Sequence, residues 1–292
     1  MISEFSVILE NYSFLECPRW REGRLWVSDF FMHQVVSCRR DGSDVRIEAQ
    51  APGRPAGLGW LPDGRLLVVS MEDHKILRRE ADGSIAVHAD LSAYATGLLN
   101  DMIVDPEGRA FVGNFGFDSD GGAPVKTADL MRVDPDGAIT LAASGMHFPN
   151  GCVLLGDTLV VAETAGNRLS AFAVQAEGSL GPRRDWARFG DVPTSTDFME
   201  VIGRLVMAPD GICADCEGAI WIADALGNRA VRIREGGEIT DIVDAGTGVY
   251  ACALGGDDGD TLYLCTAPSF AEQERRDKRE ARLLAVKVKV PA

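Results

Sequence analysis

The chain has 292 residues, 46% of them hydrophobic and 25% charged, with 44 acidic against 29 basic side chains and a formal net charge of −15. That balance argues against nucleic-acid and anionic-membrane partners, and the apolar share supports a globular core large enough to need no disulfides. No apolar run approaches the ~18 residues of a membrane span, the N-terminal MISEFSVILENYSF lacks a basic n-region and a cleavage site, and seven irregularly spaced cysteines point to a reduced, cytoplasmic protein.

In chain order, residues 4–10 alternate weakly and predict a first strand. GRLWVSDF (23–30) then opens a series of six similar runs, each a polar turn feeding a hydrophobic stretch that ends in a small or polar residue. The others are GRLLVVSM (64–71), GRAFVGNF (108–115), DTLVVAET (157–164), GAIWIADA (218–225) and DTLYLCTA (260–267). Their aligned positions, Trp26, Leu67, Phe111, Val160, Trp221 and Tyr263, lie 41, 44, 49, 61 and 42 residues apart. Short strands repeating at that interval predict an all-β fold, a six-bladed β-propeller of four-stranded antiparallel blades around a central channel. Residues 1–292 are read as one such domain.

Turn chemistry such as Asp41-Gly42, Pro62-Asp63-Gly64 and Gly236-Gly237 separates the runs. Two insertions, residues 118–130 and about 181–204, either border the mouth of the channel or form plain solvent loops. AEQERRDKREARL (271–283) carries charge on every helical face. It is expected to be a solvated excursion of the last blade. RLLAVKVKV (282–290) alternates, so the first strand is expected to pair beside the last blade and hide both edges.

Four motifs lie just upstream of repeat cores, where innermost strands belong: LECPRW (15–20), LLNDMIVDPEGR (98–109), FPNGCVL (148–154) and APDGICAD (208–215). They place Glu16, Asn100 with Asp101, Asn150 and Asp210 in apolar runs at equivalent points of their blades. Equivalent positions in a closed ring converge on its axis. Several carboxylates and amides gathered there need a cation to satisfy them. The donors are all oxygens, with no His or Cys at an equivalent place. That favours Ca²⁺, with Mg²⁺ or Mn²⁺ next and Zn²⁺ through carboxylates still open. Asp63 shares the P-D-G of Asp210 but lies only four residues before Leu67, which marks it as a plain turn. His147 is the one histidine near this constellation. Phe115, Phe117 and Met146 are candidate apolar walls. Cys213 and Cys216 form a C-x-x-C that no second pair or nearby His completes, and Glu163 with Arg168 suggests an ion pair.

Taken together, the motifs resemble the SMP-30/gluconolactonase/luciferin-regenerating enzyme family of six-bladed propellers with lactonase activity. The matching pieces are E-x-P-x-W at Glu16, Pro18 and Trp20, N-D-x-x-x-D-x-x-G-R over 100–109, F-P-N-G ending at Gly151, P-D-G-x-x-x-D-x-x-G over 209–218, and A-E-T at 162–164 followed by Asn167-Arg168-Leu169. The resemblance spans the full length. It implies Glu16, Asn150 and Asp210 as ligands of one divalent cation. Asp210 would also be the general base, Asn100 would contact substrate or a bound water, and Asp101 would support it from beside. Leu98 stands where sugar-lactone members often place an arginine that grips substrate hydroxyls. Asn114-Phe115-Gly116-Phe117 replaces an acidic residue many of them carry. With Phe115 and His147 as further substrate contacts, the expected reaction is opening of a lactone less hydroxylated than gluconolactone. A metal-activated water would attack a metal-polarised carbonyl. The same site acting as a phosphotriesterase or arylesterase, and a non-enzymatic binding module with a structural ion, are the alternatives. The expected partner is a small-molecule lactone. Oligomeric state is not legible.

Overall fold

The computed structural model describes residues 4–119 and 121–292. Its strands form six four-stranded antiparallel sheets, a six-bladed β-propeller. The six repeated runs are the second strands of the blades: Arg24–Asp29, Leu66–Ser70, Ala110–Asn114, Thr158–Glu163, Ile220–Asp224 and Thr261–Ala267. These strands are apolar on both faces because each is covered by a neighbouring blade on either side. Trp26 meets Trp60 edge-on at 5.3 Å, and Trp20 stacks on Tyr263 at 5.8 Å, so these indoles pack in the body of the ring.

The innermost strands are Leu15–Arg21, Pro55–Trp60, Leu99–Val104, Pro149–Leu155, Pro209–Ala214 and Gly248–Gly255. Each slips register once against its second strand, between Glu16 and Arg19, Pro55 and Leu58, Leu99 and Met102, Pro149 and Cys152, Pro209 and Ile212, and Val249 and Ala251. A bulge of this kind bends a strand and re-aims its side chains. Here it recurs at the start of every inner strand, where Glu16, Asn100, Asn150 and Asp210 sit.

Neighbouring inner strands approach so closely that glycine is required at their contacts. A Cβ on Gly57 would fall 2.4 Å from Met102 N, and one on Gly151 would fall 2.6 Å from Asp210 O. Backbone cannot yield as a flexible side chain can. Gly57→Ala is therefore expected to cost about 1–3 kcal/mol, read as a lowered Tm. An unchanged Tm would show that the ring relaxes freely.

Ser6–Tyr12 pairs antiparallel with Ala281–Lys287 as the outer strand of the last blade, as the alternating segments at 4–10 and 282–290 predict. The excursion at 271–283 lies within the last blade and is largely exposed, as expected, apart from one buried arginine. It holds a short helix, Glu272–Arg275, in which Arg275 is buried and paired with Glu280 at 3.0 Å. Arg275 and Glu272 find partners on the protein, while residues 276–280 stay exposed, so the segment is a solvated excursion with one buried anchor. No helix among the described residues is long and apolar enough to cross a membrane.

Candidate functional site

Four inner strands bring Glu16, Asn100, Asn150 and Asp210 to one cavity of about 560 Å³ on the ring axis. Glu16, Asn100 and Asn150 are buried, and Asp210 keeps partial exposure. The asparagine amides are oriented by hydrogen bonds to neighbouring groups. Asn100 Nδ2 donates to Pro149 O at 3.4 Å, and Asn150 Nδ2 donates to Thr164 Oγ1 at 3.1 Å. Thr164 in turn donates to Pro209 O at 2.8 Å, tying blades four and five together at the site. Committing both amide NH₂ groups this way leaves the amide oxygens for a ligand.

The carboxylates are electrostatically frustrated. Glu16 Oε2 accepts the Cys17 N–H at 3.0 Å, yet neither Glu16 nor Asp210 has an ion-pair partner among the described residues. Burial pushes the Glu16 pKa well above its ordinary value. Repulsion from Asp210 and Asp101 adds to this, against weaker relief from the Cys17 N–H and Arg19. Burial likewise raises Asp210 well above the usual range, opposed by a hydrogen bond from Asn150. No three His, Cys, Asp or Glu side chains gather into a metal site among the described residues. A cation would thus have to draw on amide oxygens besides the two carboxylates. That donor set, all oxygen and doubly anionic, fits a hard divalent ion.

The other sequence candidates divide. Phe115 lines the cavity, its ring 4.2 Å from Phe148. Asp101 is buried beside the site and turned to Arg19, at 2.6 Å, and to the Met102 N–H. Leu98 packs against the apolar core. His147 is held at the neighbouring Glu163, whose Oε2 accepts the His147 backbone N–H at 2.7 Å with Nδ1 3.4 Å away. These three lie outside the cavity lining, as do Phe117 and Met146, which pack in core clusters. Cys213 does not pair with Cys216. Its Sγ lies 3.7 Å from Cys252 in the next blade.

Glu163 is a buried hub. Arg168 pairs with it at 2.8 Å and Ser170 donates to it. Burial works to raise its pKa, but hydrogen bonds from His147, Arg168 and Ser170 outweigh that and bring it down to about 2.

Both insertions reach the cavity. Ser119 comes from the first, and Phe198, Met199 and Ile202 from the helix Phe198–Ile202 of the second. That helix is capped by Asp197, whose side chain accepts the Glu200 N–H at 3.0 Å. Arg54 is a lining residue that no sequence motif marks. It is buried, its guanidinium lies 4.8 Å over the Phe31 ring, and it bonds Glu72 at 2.9 Å and Glu272 at 2.7 Å. Glu272 is 218 positions away in sequence, and no local pattern signals such a pair.

Residues 14–268 match the family described as SMP-30/Gluconolactonase/LRE-like region. The chain is 31% identical to a pentonolactonase of Haloferax volcanii, over 73% of this chain and 67% of that protein. It is 27% identical to a 6-deoxy-6-sulfogluconolactonase of Pseudomonas putida, over 92% and 86%. Among solved structures, a calcium-binding protein, regucalcin, of Agrobacterium tumefaciens superposes with a TM-score of 0.79 at 19% identity, covering 100% of this chain and 96% of that one.

Proposed function

This chain belongs to the SMP-30/Gluconolactonase/LRE-like family, and from that premise we propose that it is a divalent-metal-dependent hydrolase that opens a lactone ring. The observation that carries the reading is the pair of carboxylates at the floor of an apolar cavity with Asn100 and Asn150, Glu16 buried and Asp210 partly exposed, neither with an ion-pair partner among the described residues. Two relatives named as lactonases support it. Glu16, Asn150 and Asp210 would hold one divalent cation. Ca²⁺ comes first, in keeping with a fold neighbour described as calcium-binding, and Mg²⁺, Mn²⁺ or Zn²⁺ follow. Bound there, the ion would polarise the lactone carbonyl and acidify a water.

The chain's own residues do the rest. Asp210, partly open to the cavity, accepts the proton of the attacking water. Asn100 holds the substrate or that water through its amide oxygen. Thr164 fixes the Asn150 amide by accepting from its Nδ2. The walls exclude bulk water, which strengthens every charge interaction at the floor. Leu98, packed in the core, supplies no hydroxyl contact, in line with a lactone less hydroxylated than gluconolactone. The seven free cysteines support a cytoplasmic location.

The test is acid release from a lactone, followed with a pH indicator. Metal-stripped protein should be inactive, and Ca²⁺, Mg²⁺, Mn²⁺ or Zn²⁺ added back singly should restore it. No release with any ion, from a protein whose Tm that ion raises, would leave the cation structural and overturn the hydrolase.

A further inference from the structure

We propose that the substrate lactone carries an aromatic substituent, held between two aromatic walls that face each other across the channel. This rests on the lactonase reading and names its substrate class.

One wall belongs to blades one and six. Phe14 lies 5.3 Å from Phe30 and 4.9 Å from Tyr250, and Tyr250 lies 6.4 Å from Phe270. The other belongs to blades three and four and the second insertion. Phe115 lies 4.2 Å from Phe148, and Phe198 joins them through Phe117, at 5.4 Å and 6.3 Å. In a ring of six sheets, blade one stands opposite blade four and blade six opposite blade three. The two clusters therefore face each other, with Glu16, Asn100, Asn150 and Asp210 on the floor between them.

The walls offer little to a sugar. Above the floor the polar lining is Thr164, Arg54, Ser119, Glu272, Gln273 and the hydroxyl of Tyr250. Thr164 is committed to Asn150 and Pro209, and Arg54 is bonded to Glu272. Few polar groups remain there for the several hydroxyls of a sugar, so a polyol carried into this space loses more water than it regains in partners. A flat apolar group gains contact on both faces, and aromatic side chains favour tilted or offset rings at these separations. The mouth agrees, since Met199 and Phe270 line the cavity and remain 71% and 48% exposed. The cavity, at about 560 Å³, has room for a substituent beside the lactone ring; pockets of about 300–1,000 Å³ bury drug-sized ligands. The reaction is ordinary hydrolysis. The water oxygen bonds to the carbonyl carbon, the ring C–O bond breaks, and the ring oxygen takes up a proton, giving a hydroxy acid.

The experiment compares kcat/KM on cation-loaded protein for four δ-lactones: δ-valerolactone, its 5-phenyl derivative, its 5-pentyl derivative and glucono-δ-lactone. Each value is corrected for that lactone's own alkaline hydrolysis rate. The phenyl compound is expected to exceed δ-valerolactone by roughly 30-fold or more and glucono-δ-lactone by at least as much. Phe115→Leu should cut the phenyl-to-parent ratio several-fold. Equal or better turnover of glucono-δ-lactone overturns the inference and leaves the lactonase standing. Preference for the pentyl compound, or a ratio unmoved by Phe115→Leu, overturns the aromatic assignment. Turnover of none of the four, with each cation tried, removes the lactonase reading itself.

Discussion

Asp210→Asn is expected to lower lactone hydrolysis about 10³-fold while raising the Tm of the cation-free protein. The two effects have one cause. Asp210 and Glu16 are carboxylates drawn out of water beside one another, and neither has an ion-pair partner among the described residues. Without a metal they destabilise the fold, because burial and like charge both oppose ionisation. Asparagine preserves shape and one oxygen but removes the charge and the proton acceptor. The variant should therefore be more stable bare, less stabilised by added Ca²⁺, and nearly inactive. Melting curves with and without cation, beside initial rates, read all three. A variant that keeps its activity, or that loses it together with a fall in bare Tm, would sink the assignment of Asp210 as a functional carboxylate.

The second large effect concerns stability. Glu163→Gln is expected to cost about 3 kcal/mol at neutral pH, the size of the displacement of its pKa from 4.5 to about 2. The sign follows from the lowered value. The stabilisation is complete above about 4.5, where the unfolded chain is also ionised, and is lost as pH falls through about 2. The native protein should lose Tm across that acid window, and Glu163→Gln should start lower and lose less. Glutamine cannot satisfy Arg168, Ser170 and the His147 N–H together, so it leaves buried donors and a charge unmatched. The Thr164 N–H bonds Phe148 O at 3.0 Å next door, so the turn leading to Asn150 should loosen and activity should fall too. Equal melting at neutral pH would show the hub to be energetically idle.

The blades were legible because a second strand, covered on both faces, must be apolar throughout, and six such runs at blade spacing demand six sheets stacked in a ring. The convergence of Glu16, Asn100, Asn150 and Asp210 on one cavity was legible because polar residues recurring at one offset in apolar runs need a common reason. The contrast with Asp63 holds in the structure: its carboxylate caps an exposed turn, accepting from Arg65 at 3.0 Å and 2.8 Å. The bulges that re-aim these side chains were not legible, since the same letters read as a regular strand. His147 shows the limit of nearness in sequence. It sits three residues from Asn150, yet Glu163 captures it, a partner sixteen positions away. The facing aromatic walls were also hidden, because Phe14, Phe115 and Phe198 are scattered along the chain and only ring closure opposes them.

That closure bears on how the molecule is made. Ser6–Tyr12 is synthesised early and Ala281–Lys287 late, yet they are neighbours in one sheet. During translation the early segment has no partner, and the last blade is the final one to assemble. The seam is thus a checkpoint: the row of blades stays an open arc, with hydrogen-bonding edges bare to other nascent chains, until Ala281–Lys287 has emerged. Tyr250 and Phe270 belong to the blade that closes it, so one wall of the aromatic cleft is complete only once the seam is made.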